Sequence, residues 1–375
     1  MTIRQHLRAI LATTSRHYTI ASSPPFQFTT TDAGKLYEIP KADYDRLNFN
    51  KMLPLALTKQ FGTIDECVTM IRPPLVEVSS YMKTARTNFS SLRLCLWGRF
   101  GTGKTTTLNQ AVHMASSEGW VVVHLKSVLS LTRKVQEVDM STYQPGRIND
   151  PMRATEILQL FKQQNTHLWK RLSELMTTKS YEWTKNDKTV EGKPLTDIVE
   201  MGLSAPYLAS DCVGALFKEL RLHASKGEIK LFVGIDDSNS LWGKTLVKKA
   251  DRTKAKAHEL TLVQHYKNFL QNDWSNGTVL LVADQKEVSD ARDSLTVPLY
   301  TPLELFGDEG FDFIDPFIPI ETSIYTKEEA NTIFEYYKTK QWLATPGAKD
   351  NTGRIQIAEL SGYNPFYFER ICAFV

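Results

Sequence analysis

The sequence predicts an α/β chain, with a mainly parallel sheet covered by helices on both faces, a helical insertion and a small helical C-terminal lid. Three observations lead there. Apolar runs at 229–235 and 278–283 read as strands buried on both faces, and they alternate with stretches of helical period. A glycine-rich turn, Gly98–Gly103, joins a predicted strand to a predicted helix. The stretch 126–205 is long and polar, with helical patches and no clear strand, so it reads as an insertion.

Taken in order, residues 1–18 come first. Ile3, Leu7, Ile10 and Leu11 share a helical face; Arg4, Arg8 and Arg16 supply charge, and no acid precedes Asp32. That composition is a mitochondrial transit peptide, with processing expected near Arg16-His17-Tyr18; the alternative is a disordered basic tail. Residues 19–60, punctuated by Pro24, Pro25, Pro40 and Pro54, read as an extended arm. The main domain is expected over 61–325. Its strands are Ser91–Trp97, Trp120–His124, Ile229–Ile235, Thr278–Ala283 and Phe317–Thr322. Its helices are Lys104–Ser117, patches in Arg153–Leu175, Tyr207–Ala224 and Glu259–Asn272. Thr326-Lys-Glu-Glu329 is a capping box that opens the lid, 326–375, with a helix to about Lys340.

Composition excludes several classes. With 42% hydrophobic and 23% charged residues, the chain of 375 is globular rather than fibrous or disordered. No run approaches the ~20 apolar residues of a membrane span. Cys67, Cys95, Cys212 and Cys372 lie far apart without a CxxC, which argues against zinc and disulfides and for a reducing compartment. The net charge of +3 sits entirely in the leader, because residues 32–375 balance at 42 basic and 42 acidic side chains. A globally basic nucleic-acid binder is therefore not indicated.

Gly98-Arg99-Phe100-Gly101-Thr102-Gly103-Lys104-Thr105 matches GxxxxGK[ST], a phosphate-binding loop. Glycines let backbone N–H groups curve around an anion, and the helix N-terminus adds partial positive charge. Lys104 is assigned to the β and γ phosphates and the Thr105 hydroxyl to Mg²⁺, with Thr106 beside it. Asp236, ending the strand 229–235, is the second group assigned to the metal, and Asp237 is the one nearby base for an attacking water. Asn239 and Asp284-Gln285 are expected to sense the γ-phosphate. His113 and His124 are expected to be packing residues. No NKxD stretch is present, so guanine and adenine stay open at this point, and no arginine finger is apparent. Lys244, Lys248, Lys249, Arg252, Lys254 and Lys256 surround a single acid, Asp251; they are either a phosphate-backbone contact or a solvated loop.

Several blocks resemble the death-associated protein 3 family. They are Cys67-Val-Thr-Met-Ile-Arg-Pro-Pro, the segment Leu92–Thr105, Asp236-Asp237 followed by Ser-Asn-Ser-Leu-Trp-Gly, Gln271-Asn-Asp-Trp274, Leu305–Ile320 with its Asp-Pro-Phe-Ile-Pro, and Asn364-Pro365 with Glu369-Arg370. The resemblance runs from about residue 55 to the C-terminus. It implies an AAA/STAND-like P-loop NTPase fold, with bound GTP or GDP (ATP also fitting the loop) and Mg²⁺. It places Asn364 and Pro365 where such lids approach the nucleotide. It implies a structural role in the mitochondrial small ribosomal subunit, with small-subunit rRNA and neighbouring ribosomal proteins as partners and a large-subunit contact. It also implies a role in translation, a link to apoptosis and, at most, slow GTP hydrolysis. Asp237 stands where this family can carry glycine. The rival reading is an active GTPase or ATPase switch, or a chaperone-like enzyme, acting off the ribosome.

Overall fold

The computed structural model describes residues 18–135, 137–185, 187–249, 251–285 and 300–375. The predicted leader falls outside them, apart from Tyr18.

The chain begins with β1 (Leu36–Ile39), α1 (Leu55–Ile64), β2 (Cys67–Met70) and α2 (Pro73–Met82). The nucleotide-motif unit follows as β3 (Leu92–Trp97), α3 (Lys104–Ser117) and β4 (Val121–Leu125). The insertion contributes α4 (Pro151–Gln164) and α5 (Leu195–Ser204), and leads into α6 (Ala209–Ser225) and β5 (Leu231–Ile235). Then come β6 (Lys244–Lys248), β7 (Lys254–Lys256), α7 (Thr261–Lys267), β8 (Gly277–Val282), α8 (Pro302–Ile314) and β9 (Ile318–Glu321). The chain closes with α9 (Lys327–Thr339), α10 (Asn351–Ser361) and α11 (Pro365–Cys372).

The central sheet has the order β9-β3-β8-β5-β4. Every neighbouring pair is parallel. The glycine-loop strand β3 and the acid-bearing strand β5 are thus separated by β8, which brings three strand ends to one rim. Alternation along the strands divides the interior in two. Leu94, Leu96, Val122, Phe232, Leu280 and Val282 face one core, shared with α2, α3 and the N-terminal arm. Cys95, Val123, Val233, Ile235, Val279 and Leu281 face the other, shared with α4 to α8. Both faces are covered, which is why these strands read as unbroken apolar runs.

The insertion does more than extend the chain. Asn165, just after α4, accepts from Val122 N and donates to Val122 O, both at 2.8 Å. Its side chain therefore occupies backbone groups of the edge strand β4, shielding that edge from foreign pairing.

Three expectations need correction. Residues 19–60 are not a plain extended arm: helices occupy Lys41–Arg46 and Phe49–Met52, and α1 crosses the expected boundary at 60/61. Phe28, Tyr37, Leu47 and Phe49 are buried there, so hydrophobic docking overrides the prolines. The 126–205 stretch holds four two-residue strands besides its helices, paired as small hairpins. Glu259–Asn272 is not one helix, because α7 ends at Lys267 and a 3₁₀ turn follows over Asn268–Leu270.

The lid has its own core. Tyr336, Phe334, Ile357 and Phe368 pack with Leu36, Val68 and Met70 from the β1–β2 ribbon. That ribbon's other residues, Tyr37, Ile39 and Cys67, belong to the core beneath α3. The lid is thus joined to the domain through both faces of one short ribbon. All four cysteines are buried and unbridged. Among the described residues no helix is long and apolar enough to cross a membrane.

Candidate nucleotide site

The loop between β3 and α3 has the backbone that its glycines allow. Gly98, Gly101 and Gly103 have φ of +135°, +79° and +98°. A Cβ at Gly98 would strike the backbone of Thr322, and one at Gly101 would strike the Asn364 amide. Both positions require glycine for the turn and for the close approach of a second chain segment.

The Lys104 ammonium lies within this curve and donates to Gly98 O (2.9 Å) and Arg99 O (3.0 Å). Thr105 Oγ1 donates to Asp236 Oδ2 at 2.7 Å, joining the start of α3 to the end of β5. Asp236 and Asp237 are each 3% exposed. Asp236 Oδ1 accepts from Asp237 N at 2.9 Å. Asp237 itself adopts φ +52°, and its carboxylate accepts from the Ser127 hydroxyl on the loop after β4. The third strand end is clamped by Asn239, whose side chain donates to Asp284 O (2.9 Å) and accepts from Asp284 N (3.1 Å). Asn239 is therefore committed to positioning Asp284, which lines the cavity beside the loop.

That cavity has a volume of about 380 Å³. Its floor is the loop with Lys104, Thr105 and Thr106, and its apolar wall comes from Leu57, Phe61, Met70 and Ile333. The Tyr337 hydroxyl donates to Gln60 Oε1 at 3.3 Å within the same wall. Glu369, further along α11, also lines it; burial raises its carboxyl above the ordinary range.

The lid touches the loop directly. Asn364 Nδ2 donates to Phe100 O at 2.8 Å, and Phe366 N donates to Gly101 O at 3.1 Å. The Phe100 and Phe366 rings meet edge to face at 5.0 Å. Asn364 thus contacts the loop itself, and Pro365 lines the cavity. Arg99 turns away from the cavity, with its guanidinium over the Tyr300 ring at 5.7 Å. Thr102 Oγ1 meets Thr322 Oγ1 at 2.7 Å, which links the loop to the segment after β9.

Sequence reasoning missed the residue that ties these parts together. Arg72 is 8% exposed. It donates to Thr102 O in the loop (2.8 Å), to Ser323 O and Ile324 O before the lid, and to both carboxylate oxygens of Glu329 in α9 (3.1 and 3.2 Å). It also lies over the Tyr325 ring at 5.0 Å. The one sequence signal was an arginine directly before a Pro-Pro helix start, which marks a turn and not a role.

His113 and His124 are buried at 3% and 5% exposure. His113 Nε2 stands 3.4 Å from Asp43 Oδ2, and burial lowers His124 to about 3. Both pack in the fold away from the cavity lining.

The residues of this site fit a magnesium nucleotide. At Gly98 and Gly101 the curve leaves no room for a side chain, the Thr105 and Asp236 oxygens form a hard-cation pair, and the cavity continues from the loop into an apolar slot. The sequence model of the family described as "Mitochondrial ribosomal death-associated protein 3" matches residues 69–371. The chain belongs to that family. Membership carries with it the mitochondrial compartment. The chain is similar to the small ribosomal subunit protein mS29 of Mus musculus, 34% identical over 353 residues, covering 94% of this chain and 88% of that protein. The Bos taurus protein of the same name is 33% identical over 325 residues, covering 86% and 80%. Among solved structures, the Aeropyrum pernix ORC2 protein in its ADPNP-ADP complexes is 15% identical, covers 81% of this chain and 68% of that chain, and has a TM-score of 0.33, a likeness too slight to bear on function.

Proposed function

We propose that this protein is a structural constituent of the mitochondrial small ribosomal subunit that holds a guanine nucleotide with Mg²⁺ and so supports mitochondrial translation. The family and the two mS29 relatives support the ribosomal part. The observation that supports the nucleotide part is the juxtaposition of Lys104, the Thr105–Asp236 pair and the lid contacts around one cavity.

In this reading Lys104 leaves the carbonyls of Gly98 and Arg99 to meet the β and γ phosphates. Thr105 and Asp236 hold the metal and its water shell; the metal supplies charge neutralisation on the phosphates. The base enters the slot between α1 and the lid. Glu369 favours guanine there, since a carboxylate can accept from guanine N1–H and its 2-amino group together, whereas adenine offers one donor beside an acceptor nitrogen. Asp237 is bonded to Ser127, and among the described residues the arginine that lines the cavity, Arg72, is committed to Thr102 O and Glu329; in this reading hydrolysis is slow and the nucleotide is a ligand rather than a fuel.

The test is to purify mitochondrial small subunits and identify both this chain and its nucleotide. Stoichiometric chain with retained GDP or GTP is expected. Absence of the chain from subunits sinks the ribosomal part. Single-turnover hydrolysis near one per second, abolished by Asp237→Asn, favours a switch enzyme instead.

A further inference from the structure

We infer that the β6–β7 hairpin is a binding surface for the phosphate backbone of RNA, separate from the nucleotide cavity. The two strands are antiparallel, with Lys244 opposite Lys256 and Lys248 opposite Lys254. Their inner positions, Thr245, Val247 and Ala255, are buried; the outer positions, Lys244, Leu246, Lys248, Lys254 and Lys256, are exposed. One face of a two-stranded ribbon therefore carries four lysines in two directly opposed pairs. Like charges directly opposite each other destabilise a sheet, so this arrangement costs the isolated chain stability.

At the Lys248–Lys254 pair, nearby acids do not relieve it. Asp251 accepts from Thr253 N (2.9 Å) and Thr253 Oγ1 (2.6 Å) in the turn. Glu259 accepts from the Lys249 ammonium (2.6 Å) and from Lys256 N (2.6 Å). Among the described residues Lys248, Lys254 and Lys256 enter no ion pair. Since residues 32–375 balance in charge, this face is a local excess on a neutral body. An anionic partner that removes the repulsion supplies what the fold lacks.

The chemistry of the face selects RNA backbone over an acidic protein. Protein interfaces are depleted in lysine and enriched in arginine and aromatics, whereas lysine binds phosphates as a point charge. The face holds no aromatic ring and one exposed apolar side chain, Leu246, so it offers no platform for stacking bases. Along β7, Lys254 and Lys256 stand two residues apart, about 7 Å, a spacing that suits successive phosphates, while on β6 Leu246 separates Lys244 from Lys248. Choosing RNA also rests on the ribosomal reading, but the surface itself does not depend on nucleotide in the cavity.

The experiment uses the full chain, a structured RNA duplex of arbitrary sequence, and polyglutamate as the competing anion, titrated from low to moderate salt. Wild-type protein is expected to bind the duplex with a steep salt dependence and to prefer it to polyglutamate. Lys248→Gln/Lys254→Gln/Lys256→Gln should weaken duplex binding roughly tenfold or more and reduce the salt slope by about 2–3, near 0.7–0.9 for each phosphate no longer neutralised. Nucleotide affinity should stay as in wild type, which shows that the variant is folded. A second variant, Lys248→Glu, should raise the melting temperature by pairing with Lys254 while still cutting RNA binding. An unchanged salt slope in the triple variant, or a preference for polyglutamate, overturns the inference. Either failure leaves the presence of the chain in purified small subunits to be judged separately.

Discussion

The rim of the central sheet and the β6–β7 hairpin, which follows the rim residues Asp236 and Asn239 in sequence, treat polar groups in opposite ways. At the rim, Lys104, Thr105, Asp236, Asn239 and Arg72 are buried or half-buried, and each donates to or accepts from a named partner. On the hairpin, lysines are exposed and face their own kind. Burial makes an unpaired polar group expensive, so the rim must settle on one arrangement before a ligand arrives. Exposure makes repulsion tolerable, so the hairpin can wait for a large partner. The first pattern suits a small ligand held in a fixed geometry, the second an extended polyanion.

The sharpest way to break this contrast is Arg72→Ala. It leaves Glu329, at 4% exposure, without its guanidinium and should cost about 3–5 kcal/mol of stability. Adding Glu329→Gln should recover part of the loss in a denaturant titration. An Arg72→Ala protein as stable as wild type would mean that the lid is not held through this pair.

Lys104→Ala tests the same rim through its ligand. Removing one charge-assisted hydrogen bond to phosphate should cost about 1.5–3 kcal/mol, or one to two decades of GDP affinity by calorimetry. The melting temperature in saturating nucleotide should fall as well. Hairpin variants should leave both readings unchanged.

How much of this was legible in advance follows from where the physics is local. The glycine loop, the acid at the end of β5 and the Thr326 capping box are set by residues adjacent in sequence, and they stand as expected. Arg72 was invisible because its partners lie 30 and 257 positions away and no spacing announces them. The hairpin was missed as a strand pair because lysines are poor strand formers; only Thr245, Val247 and Ala255 on the buried side carry the period-2 signal. In α8, Gly307 has φ +64° and interrupts the helical backbone, which weakened its periodicity. The short spacing between Asn364 and Glu369 gave no hint that the segment would border one cavity with residues near 60.

A milder probe uses pH. His124 on β4 is buried, and its Nδ1 has no partner among the described residues. Its folded pKa of about 3 lies below the ordinary 6.5, because burial opposes the charged form. The unfolded chain therefore binds the extra proton, so stability is complete above about pH 6.5 and falls as pH drops toward 3. By pH 5 this one residue should remove about 2 kcal/mol, at roughly 1.4 kcal/mol per pH unit. His124→Gln should flatten that part of a stability profile; an unchanged slope would show that the ring does not titrate on unfolding.

The smallest expected effect comes from the hairpin in isolation. Lys254→Gln removes one cross-strand repulsion and should stabilise the RNA-free protein by a few tenths of a kcal/mol, read as a slight rise in denaturant midpoint. A fall instead would mean that the opposed lysines are not a cost, and the contrast with the rim would weaken.

The Arg72 cluster also has a consequence in time. A chain is made from its N-terminus, so Arg72 and the glycine loop emerge long before Glu329 and Asn364 exist. Until the final helices arrive, Arg72 has no carboxylate and the cavity lacks the wall formed by α9 and α11. A chain truncated before Glu329 therefore keeps the glycine loop but lacks both the carboxylate for Arg72 and this wall.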